Sequence, residues 1–218
     1  MIIAVGGIKG GTGKTTIATN LAVMRAAAGK KVLLVDADEQ KSSSIWSTQR
    51  ELNEMPNKPD ITTIPLYEKA LMTQLKKMKV DYDDIIIDVG GRETQSLRAA
   101  MAVCDIFVIP LKPSSVDMWT VEPIQLIILE MREANPKLKC IAVTNQAEHY
   151  RGNENDKTIQ LLSGCEEIEC FPYSIGQRKC FKSAVEEGLG ISELEVIDKK
   201  ALQEMQTLYD HIYTINVS

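Results

Sequence analysis

Residues 9–16 are Lys9-Gly10-Gly11-Thr12-Gly13-Lys14-Thr15-Thr16, and this stretch decides the fold. The common nucleotide-binding loop is Gly-x-x-x-x-Gly-Lys-[Ser/Thr], whose glycines let backbone N–H groups surround phosphate oxygens. Here Ile8 takes the position of the first glycine, and an additional lysine follows it. We call residues 9–16 the phosphate loop and predict that all eight contact a nucleotide. Lys14 is expected on the β- and γ-phosphates, and the Thr15 hydroxyl on Mg²⁺.

The sequence on either side of the phosphate loop predicts a strand before it and a helix after it. Residues 1–5 form a short apolar run of the kind found in buried strands. Residues 15–28 carry apolar side chains at helical spacing, and Gly29 is placed to end the helix. This order of elements points the helix N-terminus, with its unsatisfied N–H groups, at the phosphates.

The rest of the chain alternates short apolar strands with helical stretches. Strands are predicted at residues 31–36, 61–64, 84–88, 105–110 and 139–144. Helices are predicted at residues 43–54, 67–79, 95–103, 117–134, 156–162, 178–187 and 198–212. The strands are continuously apolar, which indicates a parallel sheet buried between two helix layers. The expected fold is therefore one α/β domain over residues 1–218, a doubly wound, mostly parallel sheet flanked by helices.

Composition limits the classes of function. No apolar run approaches the roughly 18 residues of a membrane span, and no signal-peptide pattern begins the chain. Five cysteines without disulfide-rich spacing fit a reducing cytoplasm. The net charge of −5 argues against a uniformly basic nucleic-acid binder, so any DNA contact must come from a local patch.

Three aspartates fall at the carboxyl ends of predicted strands, where ligands bind in open parallel sheets. Asp36 and Asp38 follow the second strand, and Asp88 ends the strand at 84–88. Phosphoryl transfer needs a metal ion and a group that orients the attacking water. Asp88 is therefore predicted to hold a magnesium-bound water beside the Thr15 hydroxyl, and Asp36 and Asp38 to share indirect contact with the metal and water activation. Residues 89–94, the second switch segment, resemble a loop that senses the γ-phosphate.

Four segments resemble the ParA/MinD family of partition and positioning ATPases, and within it the short plasmid ParA proteins such as ParF. The phosphate loop matches the deviant Walker A pattern Lys-Gly-Gly-x-Gly-Lys-[Ser/Thr]. Residues 36–40, the first switch segment, resemble Asp-x-Asp-Pro-Gln, with Glu39 in place of proline. Residues 109–117 and 171–178 are similar to the family's strand-to-helix segment and to its late segment beside the adenine. Gly90-Gly91 departs from the common proline-containing second switch.

The resemblance implies a fold and residue roles. The fold is that of a P-loop NTPase, and the ligands are ATP or ADP with Mg²⁺. Lys9 would reach the partner's nucleotide in an ATP-sandwich dimer, and Asp38 would position the hydrolytic water. Asp36 and Asp88 would serve Mg²⁺ through waters. Asn145 would contact the adenine edge, with Pro172 packing nearby. Lys9, Lys14 and Asp38 are thus the predicted catalytic residues.

The resemblance also implies a cellular role. Such proteins form a homodimer with ATP, bind nonspecific DNA, and release it when a small centromere-binding adaptor protein stimulates hydrolysis. A cytoplasmic, nucleoid-associated ATPase that partitions a plasmid or another cargo is therefore expected. The chain is expected to lack the N-terminal helix-turn-helix extension of the longer members.

Arg178, Lys179 and Lys182 form a basic cluster at the start of a predicted helix. Basic side chains at a helix N-terminus suit phosphate contacts, and dimerisation would double the cluster. A solvated helix face explains the same residues equally well from the sequence alone. The family pattern favours DNA contact.

Other classes of function remain as alternatives. A MinD-like membrane binder needs a basic amphipathic C-terminal helix, whereas residues 198–218 contain only Lys199 and Lys200 as lysines and no arginine, so membrane binding is not expected. A metabolic P-loop ligase would need a second small-molecule pocket. A nitrogenase-type reductase would need a cluster-ligating cysteine near the second switch segment, which has none. A nucleotide-gated scaffold with slow turnover is the non-catalytic alternative.

Overall fold

The computed structural model describes residues 1–113, 118–147, 154–162 and 164–215. Within these ranges seven strands and eight helices alternate along the chain. The strands are β1 (Ile2–Val5), β2 (Val32–Ala37), β3 (Thr62–Pro65), β4 (Asp84–Val89), β5 (Ile106–Leu111), β6 (Lys139–Ala147) and β7 (Glu169–Gly176). The helices are α1 (Lys14–Ala27), α2 (Ser42–Leu52), α3 (Glu68–Met78), α4 (Gln95–Val103), α5 (Met118–Ala134), α6 (Glu154–Leu162), α7 (Lys179–Glu186) and α8 (Lys199–Thr214).

The strands form one sheet in the order β3-β2-β4-β1-β5-β6-β7, and every strand pairing is parallel. The predicted fold class is confirmed. β1 lies at the centre between β4 and β5, so the phosphate loop that follows β1 emerges at the middle of the carboxyl edge. β2 pairs with β4 so that Asp36 lies opposite Asp88. The register thus brings together side chains that are far apart in sequence.

Both faces of the sheet are buried, which explains the unbroken apolar strands. On one face Ile2 and Ala4 pack with the layer of α3, α4, α5 and α6. On the other face Ile3 and Val5 pack with α1, α2, α7 and α8. Period-two alternation therefore sends successive side chains into two different cores, and polar side chains are confined to the strand ends.

β7 is the strand that the sequence analysis missed. Pro172 interrupts it, and a proline inside an apolar run argues against an interior strand. β7 lies at the edge of the sheet, and its register with β6 shifts between Ala142 and Thr144, next to the proline. An edge strand with an irregularity tolerates a residue that cannot donate a ladder hydrogen bond.

The other predicted elements differ from the observed ones by a few residues at their ends. Asp198 caps α8 by accepting from the backbone N–H of Lys200 and Ala201 at 3.0 Å each. The apolar stripe of α8 is buried against the sheet, as expected of a packing helix. The predicted start of a helix at Asp117 lies outside the described residues, as do residues 114–116. No described helix is both long and apolar enough to cross a bilayer.

A buried ion pair joins α2 to the segment that follows α7. The guanidinium of Arg50 donates to both carboxylate oxygens of Glu193, at 2.8 Å each. It also donates to the carbonyl oxygens of Gly188 and Pro59, at 3.1 and 2.8 Å. Both charged side chains are about 95% buried. Because Trp46 on the same helix donates to the Leu189 carbonyl at 3.2 Å, α2 is held along its length.

Replacing Arg50 with Met should lower the free energy of unfolding by about 3–5 kcal/mol, because it leaves the Glu193 carboxylate buried without its partner. Denaturant unfolding measures this change. The matched control is Arg98→Met, since Arg98 pairs with Glu93 and Glu130 at the surface. That control should cost no more than about 1 kcal/mol. Equal costs for the two variants would contradict the assignment of a buried clamp.

Candidate functional site

A cleft of about 1110 Å³ opens at the carboxyl edge of the sheet. The phosphate loop forms one wall, and the first and second switch segments form two others. Tyr67 and Glu68, at the start of α3, close the remaining side. Three segments predicted from sequence to act together therefore surround one space, and a fourth segment that was not predicted joins them.

The phosphate loop is shaped around Lys14, the first residue of α1. Gly13 precedes the helix with φ +89°, a left-handed conformation that favours glycine. Lys14 is 7% exposed, and its Nζ donates to the Lys9 carbonyl oxygen at 2.9 Å. Burial lowers the pKa of Lys14, while the charges of Asp88 and Asp38 oppose that shift. The ammonium is thus held inside the loop, where phosphate oxygens would meet it.

Asn145 and Gln146, at the end of β6, hold the phosphate loop from the side. Asn145 Nδ2 donates to the Thr12 carbonyl oxygen at 2.7 Å, and Gln146 Nε2 donates to that of Gly11 at 3.1 Å. A Cβ at Gly13 would lie 2.2 Å from Asn145 Nδ2, so only glycine fits there. Asn145 was predicted to contact adenine. The structure gives its amide nitrogen a contact with the loop itself.

Asp88 is the centre of the polar network. Its Oδ2 accepts hydrogen bonds from the hydroxyls of Thr15 and Ser43, both at 2.7 Å. Its Oδ1 is buried and receives no hydrogen bond from the described residues. Burial raises the pKa of Asp88 to about 7, although the two hydroxyls favour the ionised form. Ser43 was not predicted, because nothing in the local sequence links α2 to β4, three elements further along the chain.

The residues around Asp88 fit a magnesium ion. Mg²⁺ takes six oxygen ligands and is usually held by one or two protein groups, several waters and substrate phosphates. The unpartnered Oδ1 of Asp88 and the neighbouring Thr15 hydroxyl supply oxygens of the required kind beside the phosphate loop. When bound, the ion would neutralise the charge of Asp88 and of the phosphates.

Asp36 and Asp38 have different surroundings although they are two residues apart. Asp36 is fully buried, and its Oδ2 accepts from the backbone N–H and the hydroxyl of Ser44, at 2.7 and 2.6 Å. Its Oδ1 accepts from the Asp38 N–H at 3.1 Å. Asp36, predicted as a metal residue, therefore fixes the start of α2. Asp38 lines the cleft, with Oδ1 accepting from the Gln40 N–H at 3.0 Å.

The two glycines of the second switch segment allow it to touch the other walls. A Cβ at Gly91 would lie 2.8 Å from Gly10 Cα and 2.9 Å from Lys14 Nζ. A Cβ at Gly90 would lie 3.1 Å from Asp38 Oδ1. The backbone at residues 90 and 91 lies so close to Lys14 and Asp38 that a side chain there would collide. This gives a steric reason for glycines in place of the proline-containing second switch.

A second cleft of about 410 Å³ lies on the other side of the phosphate loop. Its wall is formed by Thr16 and Asn145 on one side and by α7, with Phe181 and Val185, on the other. The position beside the loop suits the base of a nucleotide. Pro172 is exposed and is not among the residues that line either cleft, so the structure does not bring this predicted adenine contact to the site.

The three basic residues predicted to contact DNA, Arg178, Lys179 and Lys182, have different surroundings in the structure. Arg178 donates to both carboxylate oxygens of Glu204, at 2.5 and 2.8 Å, and lies 3.6 Å from Asp198. Its side chain is 9% exposed, so it anchors α7 to α8, and we withdraw it from the predicted DNA surface. Lys179 and Lys182 remain exposed, and Lys182 is 3.5 Å from Glu186.

The raised pKa of Asp88 predicts how stability depends on pH. Asp88 ionises at about pH 4 in the unfolded chain but at about 7 in the fold. The folded state therefore holds a proton that the unfolded state has lost, and its stability falls as pH rises from about 4 through about 7. Without nucleotide or divalent ions, the free energy of unfolding of the wild type minus that of Asp88→Asn should fall between about pH 4 and 7 and then level off. A constant difference would contradict a buried, destabilised carboxylate.

Gly91→Ala should reduce nucleotide affinity at least about tenfold, or about 1.4 kcal/mol, because the added Cβ displaces Gly10 or the Lys14 ammonium. Equilibrium titration with a fluorescent adenine nucleotide measures the change. Gly164→Ala is the matched control, since its nearest neighbour would be a carbonyl oxygen at 3.7 Å. Unchanged affinity in Gly91→Ala would show that the second switch segment does not contact the loop in solution.

Comparisons with known proteins agree with this geometry. The maintenance of carboxysome distribution protein A of Halothiobacillus neapolitanus is 28% identical over 96% of this chain and 95% of its own length. Protein ParA of Rhizobium radiobacter is 28% identical over 77% of this chain and 76% of its own. A solved complex of ATP with a variant McdA of Cyanothece has a TM-score of 0.76 at 18% identity, covering 99% and 97% of the two chains.

A family model settles the family membership. The model of the CobQ/CobB/MinD/ParA nucleotide binding domain matches residues 3–191, which is most of the chain. The resemblance to the ParA/MinD family, inferred from the phosphate loop and the switch segments, is confirmed. The chain belongs to the CobQ/CobB/MinD/ParA nucleotide-binding family.

Proposed function

We propose that the protein is an ATPase that dimerises with ATP, binds nonspecific DNA as a dimer, and partitions a plasmid through a small centromere-binding adaptor protein. The relatives named for partition and for carboxysome distribution support the partition and positioning branch of the family over its metabolic ligases. Residues 1–218 act as a single ATPase domain in this proposal. We place the protein in the cytoplasm, associated with the nucleoid.

The observation that carries the proposal is the position of the two lysines. Lys14 lines the cleft of its own protomer, whereas Lys9 is exposed at the mouth of the loop and is not among the cleft residues. The Lys9 carbonyl oxygen accepts from Lys14 Nζ, which fixes its backbone. A lysine that is exposed at the mouth of a phosphate site is placed where the phosphates of a second copy can reach it. This arrangement supports an ATP-sandwich dimer with Lys9 acting in trans.

The chemistry of hydrolysis follows from the cleft. The phosphate loop and Lys14 would bind the β- and γ-phosphates, and Thr15 and Asp88 would hold Mg²⁺, which neutralises developing charge. Asp38, with its carboxylate on the cleft, would orient the attacking water. Asp36 would act indirectly, by holding the first switch segment to α2. The second cleft, with Asn145 at its wall, would take the adenine base.

A second candidate differs only in the cargo. The carboxysome distribution protein aligns with nearly the whole chain, so positioning of a protein-bounded cargo over the nucleoid is the alternative to plasmid partition. The same nucleotide cycle serves both. The membrane-binding alternative has less support, because the apolar face of α8 is packed against β7 and the core.

DNA binding tests the proposal. We expect the wild type to bind a nonspecific duplex with ATP and not with ADP at fixed low salt. Lys179→Glu/Lys182→Glu should weaken that binding at least about tenfold. Each lost phosphate contact makes the slope of log K against log salt less negative by about 0.9. Two lysines on each of two protomers give up to four contacts, so the slope should become less negative by up to about four times that amount. Fluorescence anisotropy over a salt series measures both quantities.

The matched control places the same charge change elsewhere. Lys76 and Lys77 are exposed at the end of α3, at the edge of the sheet opposite the nucleotide cleft. Lys76→Glu/Lys77→Glu should leave DNA affinity within about twofold of wild type, apart from the general effect of net charge. If the wild type binds DNA neither with ATP nor with ADP, the DNA-dependent function is refuted, whereas the assignment of the nucleotide site still stands.

A further inference from the structure

Tyr67 is an unassigned residue in the wall of the nucleotide cleft. It precedes α3, lines the cleft beside the first and second switch segments, and belongs to none of the motifs. Its hydroxyl is buried and receives no hydrogen-bond partner from the described residues. A buried hydroxyl without a hydrogen bond is unfavourable, so a nucleotide-bound arrangement of the cleft that supplies an acceptor would be favoured.

The backbone around Tyr67 is fixed from two sides. The N–H of Leu66 donates to the Asp36 carbonyl oxygen at 3.0 Å, which ties this loop to the first switch segment. The N–H of Glu68 donates to Ser96 Oγ at 3.0 Å, which ties it to the start of α4. Glu68 also has φ +49°, a strained value for a residue with a side chain. The phenol is therefore presented to the cleft from a rigid support.

The acidic side chains near Tyr67 are candidate acceptors for its hydroxyl. Burial raises the pKa of Tyr67, and the charges of Asp36, Asp38 and Glu39 raise it further. The phenol therefore stays protonated near neutral pH, and its O–H is available to donate to a nearby carboxylate. Asp36 already accepts through both carboxylate oxygens. Asp38 lines the same cleft and is the residue proposed to orient the water.

We propose that Tyr67 is a positioning residue for hydrolysis, whose hydroxyl donates to the Asp38 carboxylate when the cleft closes on the nucleotide. The proposal rests on the proposed function, because it assigns Asp38 a role in turnover. The hydrogen bond would hold one carboxylate oxygen in place and leave the other to orient the water. Tyr67, at the fixed start of α3, would thereby hold the Asp38 side chain in place during hydrolysis.

Tyr67→Phe removes only the hydroxyl and tests the proposal by separating turnover from binding. A hydrogen bond to a charged group contributes about 1.5–3 kcal/mol, so kcat for Mg-ATP should fall about tenfold to a hundredfold. KM and affinity for a non-hydrolysable ATP analogue should stay close to wild type. The melting temperature without nucleotide should rise, because the substitution removes a buried hydroxyl that has no hydrogen bond. Tyr173→Phe is the matched control, because Tyr173 is 60% exposed on β7, and its kcat should not change.

Combining Tyr67→Phe with a substitution of Glu39 identifies which carboxylate accepts the hydrogen bond from Tyr67. In Glu39→Ala, which has no side-chain acceptor, Tyr67→Phe should still reduce kcat by the full factor, because the hydrogen bond goes to Asp38. Loss of the effect in that background would make Glu39 the acceptor and overturn the proposal. An unchanged kcat in Tyr67→Phe, or a loss that falls entirely on KM, would also overturn it. If the wild type itself fails to hydrolyse ATP, the proposed function fails, and this inference fails with it.

Discussion

The buried carboxylate of Asp88 is the interaction on which the rest of the site depends. Its Oδ2 is shared by Thr15 at the start of α1 and Ser43 at the start of α2, at 2.7 Å each. Three elements thus meet at one oxygen, while the other oxygen receives no hydrogen bond from the described residues and is available to a cation. Because burial raises the pKa of Asp88 to about 7, the site is costly to ionise without that cation. Nucleotide with Mg²⁺ would relieve this cost, so ligand binding and the positions of α1 and α2 are coupled.

α2 extends this coupling away from the cleft. At its start Ser43 and Ser44 bind Asp88 and Asp36, and at its other end Arg50 binds Glu193 beyond α7. On the opposite side of α1, Asn20 accepts from the Ile191 N–H at 2.8 Å and donates to the Thr16 carbonyl oxygen at 2.7 Å. The segment after α7 is therefore held by both α1 and α2. A change at the phosphates can reach the helix that carries the proposed DNA contacts through these two connections.

The sequence predicts the parts of the fold that depend on local pattern. The strand before the phosphate loop, the helix after it and the aspartates at the strand ends follow from glycine spacing and apolar runs. β7 was missed because Pro172 argues against a strand when its place at the sheet edge is unknown. The prediction that Arg178 contacts DNA was wrong for a related reason. Its ion-pair partner, Glu204, is 26 residues away on another helix, so the sequence around Arg178 does not reveal the pairing. Tyr67 carries no motif, and only the pairing of β2 with β3 brings it to the cleft.

The central claim is that ATP joins two copies of this chain through a site that is incomplete in one copy. Sedimentation velocity of the wild type with Mg²⁺ and either a non-hydrolysable ATP analogue or ADP, with the nucleotide well above its dissociation constant, tests it most directly. The account predicts a dimer with a non-hydrolysable ATP analogue and a monomer with ADP. A monomer that binds the analogue tightly would contradict the claim, since Lys9 would then have no second nucleotide to contact.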